Sequence, residues 1–138
     1  MSDVIAIFSN AAITEEALRR FVLNAGGYEV NNIVGVYLAE GEACIWILID
    51  NSVLHDTRLD APRAYQQMLE KLGGEAQTCI VIDIMNPPEQ SHQLALEFAL
   101  ACAEIWPCVV NRMDNDFHSY SKEELMRMRE EGRTFFGT

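Results

Sequence analysis

Residues 28–50, YEVNNIVGVYLAEGEACIWILID, decide the expected fold because they hold two β-rich runs separated by Glu40-Gly41-Glu42. Two such runs joined by a short turn predict a β-hairpin over residues 28–39 and 43–50. The second run is apolar at every position from Ala43 to Ile49, a pattern typical of a strand buried on both faces. The hairpin therefore predicts a sheet with covering layers on both sides.

Strand-like and helix-like patterns alternate on either side of this hairpin. Apolar residues at helical spacing follow Thr14 and stop at Gly26-Gly27, as expected for a capped helix. Ser121 and Glu124 have the spacing of a capping box at the start of a last helix. The expected strands are Val4–Phe8, 28–39, 43–50, Thr78–Met85 and Cys108–Asn111, and the expected helices begin at Thr14, Asp60, Pro88 and Ser121.

The element order β-α-β-β-α-β-α-β-α predicts an α/β fold forming one globular domain over residues 1–138. Strands joined by helices favour a mixed, mostly parallel five-stranded sheet with right-handed crossovers and helices on both faces. A two-layer α+β sheet is the alternative architecture. With 138 residues and 49% hydrophobic side chains, the chain is long enough to bury a hydrophobic core without stabilisation by disulfide bonds or metal ions.

The charge balance narrows the possible partners. Ten lysines and arginines stand against 21 aspartates and glutamates, so the formal net charge is −11. Such a surface repels phosphate backbones and anionic membranes, which argues against a nucleic-acid-binding or membrane-binding protein. The same field attracts a basic protein.

The cysteines and the N-terminus indicate the compartment. The four cysteines form no CxxC pair, and three lie inside apolar runs, which is typical of reduced, buried thiols. The N-terminal MSDVIAIF has no basic region and a short apolar run, unlike a signal peptide. These features predict a cytoplasmic protein.

The motifs that usually mark a reaction in a small α/β domain are absent from the sequence, including GxxxxGK[ST], GxGxxG, GxSxG and HExxH. The best constellation for an enzyme is acidic. Asp50 and Asp83 follow expected strands, and with Asp114 or Asp116 they would form a magnesium site for hydrolysis or phosphoryl transfer. The alternative is that these carboxylates only cap strand ends.

His92, three residues after Glu89, is expected in a solvated first helical turn.

Two expected loops combine acidic and aromatic residues. Residues 50–60 carry three aspartates, and residues 112–124 carry acidic groups between aromatic ones. Acidic groups around aromatic anchors are typical of a surface that binds a basic protein, although a polar loop followed by a capped helix has the same composition. The predicted binding residues are Asp56, Asp60, Asp114, Asp116, Phe117, Tyr120, Glu123 and Glu124.

The C-terminal YSKEELMRMREEG, beginning Tyr120-Ser121-Lys122-Glu123-Glu124-Leu125, closes an acidic α/β domain that shows no catalytic signature. In size, charge and layout the whole chain resembles bacterial immunity proteins of the polymorphic-toxin and contact-dependent growth inhibition systems. The resemblance implies a binding protein that is not an enzyme and needs no cofactor. Its implied partner is a cognate toxin domain, often a basic nuclease, whose active site it covers.

Two other functions stay open at this point. The first is a metal-dependent hydrolase or phosphotransferase that uses the strand-end aspartates. The second is an accessory domain that dimerises through a sheet edge or through Phe135-Phe136.

Overall fold

The computed structural model describes residues 3–113 and 118–135. Within these residues the chain forms six strands and five helices. They are β1 (Asp3–Ser9), α1 (Glu15–Asn24), β2 (Val36–Glu40), β3 (Ala43–Ile49), α2 (Ser52–Asp60), α3 (Pro62–Leu72), β4 (Thr78–Ile84), α4 (Pro88–Ile105), β5 (Cys108–Arg112), β6 (Ser119–Tyr120) and α5 (Lys122–Glu131).

The six strands form one sheet in the order β2-β3-β4-β1-β5-β6, and every neighbouring pair is antiparallel. The predicted mostly parallel five-stranded sheet is therefore wrong. The reason lies in β1, which enters between β4 and β5. Those two strands both run antiparallel to β1, so they are parallel to each other and are joined by α4, but they are not neighbours. An apolar pattern predicts a strand but not the strand beside it.

Two elements were missed by the sequence prediction. The acidic segment 50–60 contains α2, which ends where Pro62 starts α3. Its side chains show little amphipathic pattern, and no side chain caps its start at Asn51. The second missed element, β6, is only two residues long and pairs with β5.

Helices lie on both faces of the sheet, so the two-layer alternative is also wrong. On one face Ile5, Ile7, Ile80 and Ile82 pack with residues of α1, α4 and α5 in the larger core. On the other face a smaller core covers only β1, β4 and β5. That core consists of Ala6, Phe8, Tyr65, Met68, Leu69, Leu72, Cys79 and Val109, with Val53 and Leu54 of α2 packed against it.

The smaller core leaves β2 and β3 without a helix on that face. Ile45 and Ile47 are fully buried on the face of the larger core, whereas Cys44, Trp46 and Leu48 on the opposite face are only partly buried. The prediction that β3 is buried on both faces is therefore wrong. An entirely apolar strand here presents every second side chain to solvent.

Candidate protein-docking face

The uncovered side of the β2–β3 half of the sheet is the main candidate site, and we call it the open face. Side chains alternate across a strand, so one face of β2, β3 and β4 collects every second residue. Both the hairpin register and a single β-bridge between Tyr28 and Tyr37 bring these residues together. The open face consists of Tyr28, Tyr37, Cys44, Trp46, Leu48 and Asp83.

A row of stacked rings runs across the open face. Tyr28 and Tyr37 stack with ring centroids 5.6 Å apart and planes 14° apart. Tyr37 and Trp46 stack in the same way, with ring centroids 6.2 Å apart and planes 19° apart. The backbone amide and carbonyl of Tyr37 bond to those of Tyr28, so the first ring is held at the sheet edge. Exposed aromatic side chains of this kind supply much of the binding energy in protein interfaces.

The segment before β2 extends this apolar surface. The indole Nε1 of Trp46 donates a hydrogen bond to the Val34 carbonyl over 2.7 Å. Val34 is 71% exposed, and Val30 and Ile33 are also exposed. A Cβ on Gly35 would lie 2.6 Å from the Ile47 carbonyl and 2.8 Å from Trp46 Nε1, so only glycine permits this close approach. Contiguous apolar surface of this kind marks an interaction site.

A groove of about 220 Å³ opens where α1 meets the β2–β3 hairpin. It is lined by Leu18, Val36 and Ile47, which belong to the larger core, as well as by Val34 and Leu48. Glu15, Arg19 and Glu29 also line it, and Arg19 donates a hydrogen bond to Glu29 over 2.9 Å. This groove therefore lies at the edge of the sheet, toward the face that α1 covers.

Asp83 ends the aromatic row. It lies directly opposite Trp46 in the β3–β4 register and opposite Val4 in the β1–β4 register. Its Oδ1 atom is buried and has no hydrogen-bond partner. Leaving a buried carboxylate oxygen without a donor costs free energy, and the side-chain amide of Asn111 is in the same state.

Cys44 lies beside the row and next to Tyr28. Its Sγ is 3.8 Å from Met85 Sδ. The pKa of the Tyr28 phenol is raised, first by the ionisable Cys44 thiol and then by desolvation. All four cysteines are free thiols, and burial raises the pKa of Cys79 and of Cys102. Because Cys44 is partly exposed on the open face, the rate at which its thiol reacts with a reagent reports whether that face is covered.

Two of the predicted binding residues lie on a helix and not in a loop. Asp56 and Asp60 are exposed on α2, one helical turn apart. This helix packs with Val53 and Leu54 against the smaller core, on the same side of the sheet as the open face. Both aspartates contribute to the negative electrostatic potential that a partner meets when it approaches this side of the sheet.

The predicted binding residues near α5 have different surroundings in the structure. Asp114, Asp116 and Phe117 lie outside the described residues. Glu123 is exposed, but Glu124 completes the capping box with Ser121 and accepts a hydrogen bond from Lys71 at 3.0 Å. Partial burial raises the pKa of Glu124, but the hydrogen bonds from Ser121 and Lys71 outweigh it and lower the pKa overall.

Tyr120 packs inside this corner of the fold. Its ring meets Phe135 edge-on at 5.4 Å, and Phe135 is buried. The adjacent pocket is lined by His118, Arg127 and Arg133 as well as by Glu124. Among the described residues, the surface at the start of α5 therefore carries basic as well as acidic side chains.

Asp50 and Asp83 do not meet. The Asp50 amide bonds to the Cys79 carbonyl, whereas Asp83 lies four residues further along β4. At about 3.4 Å per residue the two positions are about 14 Å apart, too far to share a metal ion. The Asp50 carboxylate accepts hydrogen bonds from the amide and hydroxyl of Ser52 and caps the strand end. Among the described residues no three His, Cys, Asp or Glu side chains are placed to hold a metal, and Asp114 lies outside them.

His92 was expected in a solvated turn, but it is buried. Its Nε2 lies 2.7 Å from Asp3 Oδ2, so this pair fastens α4 to the start of β1.

The sequence reasoning missed the open face itself. The signal that would have found it is the alternation of Tyr37 with Leu38 and of Trp46 with Ile45 and Ile47, which puts the aromatic rings on one side.

Comparison with known proteins adds no relative. No protein-family model matches the chain, and no curated protein and no solved structure matches it significantly. Within the described residues, no helix is both long enough and apolar enough to cross a membrane.

Proposed function

We propose that the chain is a cytoplasmic binding protein that neutralises a basic toxin domain, as its resemblance to bacterial immunity proteins implies. The toxin domain is a nuclease in this proposal, and the bound protein covers its active site without performing any reaction. The single observation that carries the proposal is the open face. A row of stacked aromatic rings lies on a side of the sheet that no helix covers, in a protein of net charge −11.

Charge selects the occupant of the open face. Two copies of this chain would bring 11 negative charges toward another 11, which opposes self-association. A basic protein gains from the same field, and its association rate rises as the salt concentration falls. The apolar row then supplies the short-range energy that keeps the partner bound.

The exposed aspartates of α2 have a supporting role in this proposal. Asp56 and Asp60 lie on the side of the sheet that carries the open face and steer the partner. Substituting rim charges mainly lowers the association rate and its salt dependence, whereas losing a central aromatic anchor mainly raises the dissociation rate. The two groups of residues are therefore separable by kinetics.

The test uses tagged protein to capture partners from lysate of the source cells, with elution by salt. Wild type, Trp46→Leu, Asp83→Asn and the double variant Asp56→Asn/Asp60→Asn are compared, with Glu104→Gln as a control on α4. Wild type and the control are expected to retain one basic protein that Trp46→Leu and Asp83→Asn lose. That protein must inhibit growth when expressed alone and cease to do so when wild type is co-expressed.

Two results would overturn the proposal. One is equal retention of the basic protein by wild type and by both open-face variants, which would place the binding surface elsewhere. The other is a retained protein that is harmless when expressed alone, which would show that the bound partner is not a toxin.

A further inference from the structure

A long groove lies on the larger core's side of the sheet, where α4 passes the end of β2, and we call it the α4 groove. It consists of two adjoining hollows of about 300 Å³ and about 250 Å³. Glu40, Leu94 and Glu97 line both hollows, so the two are continuous along α4. Leu38 and Phe98 also line the larger hollow, and with Leu94 they belong to the larger core. The α4 groove therefore leads from solvent to buried apolar side chains.

An exposed row of side chains on α4 borders this groove. Gln93, Glu97, Ala101 and Ile105 follow one another at four-residue spacing, and all four are exposed, Ile105 by 56%. At about 1.5 Å per residue the row is about 18 Å long, or about three helical turns. Residues four apart form a ridge on the surface of a helix, and such ridges interdigitate with those of a second helix. The row has the spacing and the length to receive one.

An added β-strand does not fit along the other wall of the α4 groove. Tyr28 already pairs with Tyr37 on the outer edge of β2, through backbone hydrogen bonds of 2.8 and 2.9 Å. Next to Tyr28, the Gly27 amide bonds back to the Val22 carbonyl of α1, and a Cβ on Gly27 would lie 2.7 Å from the Tyr37 carbonyl. Because the chain itself occupies this edge of β2, a long added strand has no place to pair.

Charge defines the occupant further. Among the described residues, both hollows are lined by carboxylates and by no lysine, arginine or histidine. Glu40 is exposed and its carboxylate forms no ion pair with the described residues, and Glu97 lies 3.7 Å from Arg129. An apolar groove bordered by these carboxylates, on a protein of net charge −11, is complementary to a segment that is apolar on one face and basic beside it.

We infer that the α4 groove binds an amphipathic helix of a partner protein, with apolar side chains in the two hollows and lysine or arginine side chains beside Glu40 and Glu97. An amphipathic helix laid into an apolar groove is a recurrent mode of recognition. Its apolar side chains recur at three- and four-residue spacing, which matches the row on α4. The inference goes beyond the proposed function and does not depend on it, because this groove and the open face are on opposite sides of the sheet.

Other occupants fit the α4 groove less well. A helix without cations would desolvate the Glu40 and Glu97 carboxylates and offer them no donor. A second copy of this chain carries the same net charge of −11, which opposes its approach.

The experiment uses two peptides of about 15 residues, long enough to form a helix, with the same composition of leucine, lysine and alanine. In the first peptide the leucines recur at three- and four-residue spacing along one helical face, and in the second they are spread around the helix. Methyl NMR resonances of Leu94 and Ala101 follow binding. The first peptide is expected to shift both and to bind at least about fivefold more tightly than the second.

A substitution at the exposed Ala101 locates the binding site. Ala101→Arg puts a long cationic side chain at the rim of the groove and is expected to weaken binding of the first peptide by at least about tenfold. Ala12→Arg adds the same charge at an exposed position before α1 and serves as the control. Its binding is expected to stay within about twofold of wild type.

The carboxylates are tested by a second pair of variants, which keeps the experiment decisive if Ala101→Arg does not fold. Glu40→Gln/Glu97→Gln is expected to weaken binding by about three- to tenfold, because both cationic contacts are lost. Glu70→Gln/Glu104→Gln changes the net charge equally at exposed positions outside the groove and is expected to stay within about twofold of wild type.

Three results would overturn the inference. Equal binding of the two peptides would show that the surface selects charge and not a helical face. Equal binding of the first peptide by wild type, Ala101→Arg and Glu40→Gln/Glu97→Gln would place the binding elsewhere. Concentration-dependent dimerisation of wild type that Ala101→Arg abolishes would show that the groove serves a second copy.

Discussion

Trp46 and Asp83 occupy directly opposite positions on β3 and β4, and the carboxylate beside the indole has a buried oxygen without a hydrogen-bond partner. The Asp83 carboxylate costs free energy of folding where an apolar side chain would not, because no donor among the described residues satisfies its buried oxygen. Trp46 places a large ring on the side of the strand that no helix covers, where a polar residue is the usual choice. A local arrangement that costs stability is typical of a functional surface.

Replacing Asp83 with asparagine tests that cost. We expect the free energy of unfolding of Asp83→Asn to equal that of wild type or to exceed it by up to about 1 kcal/mol, because a neutral amide is cheaper to bury than an unpartnered carboxylate. Urea denaturation at pH 7 measures the difference. Asp50→Ala is the contrast, since Asp50 accepts two hydrogen bonds from Ser52 and its loss should cost about 1 kcal/mol. A clear destabilisation by Asp83→Asn would mean that the carboxylate supports the fold.

The close approach at Gly35 predicts a second stability difference. Gly35 has φ +91° and no room for a Cβ, whereas Gly41 has φ +62° and open space around it. Gly41→Ala should cost about 1 kcal/mol for its left-handed backbone, and Gly35→Ala about 2–4 kcal/mol because the Cβ also displaces β3 and Trp46. Thermal unfolding with Trp46 fluorescence follows both changes. Equal losses at the two glycines would refute the tight contact with Trp46.

Thiol labelling separates the open face from the cores. Cys44 is partly exposed, whereas Cys79 and Cys102 are buried, and burial raises the pKa of Cys108 to about 11. We expect one thiol of the native protein to react rapidly with an aromatic disulfide reagent at pH 8, and Cys44→Ala to abolish that phase. Unfolding in guanidinium should expose all four. A rapid phase that survives Cys44→Ala would show that another cysteine is accessible.

The capping box predicts a pH effect. The pKa of Glu124 is lowered in the folded protein, so its stabilisation is fully present above the unfolded pKa of about 4.3 and is lost as the pH falls through the folded value. Glu124→Gln should cost about 1 kcal/mol at pH 7 and nearly nothing at pH 2. Glu123→Gln on the adjacent exposed position serves as the control. A loss for Glu124→Gln that is the same at both pH values would contradict the role of its charge.

Most single elements were predictable, and their arrangement was not. Capping at Thr14 and Ser121, and the glycine after α3, are local signals that the structure contains. The insertion of β1 between β4 and β5 depends on pairings between residues 69 or more positions apart along the chain, which no local pattern encodes. The helix at 52–60 was missed because its acidic residues and weak pattern resemble a loop.

The open face was not predicted from the sequence for a related reason. Exposed acidic loops were favoured because charge is visible in the sequence, whereas the coverage of a sheet face is not. The run ACIWILI indicated a strand buried on both sides, and only the position of α2 and α3 shows that Trp46 lies uncovered. An apolar strand without a helix over it is recognised only after the sheet order is known.

The most direct test of the docking face is the alkylation rate of Cys44 in the presence of the basic protein that wild type captures. At a partner concentration about tenfold above its dissociation constant, the account predicts that the rate falls about tenfold and recovers when high salt releases the partner. Cys44 reacting at its free rate inside a demonstrably formed complex would contradict the central claim that the partner covers the open face.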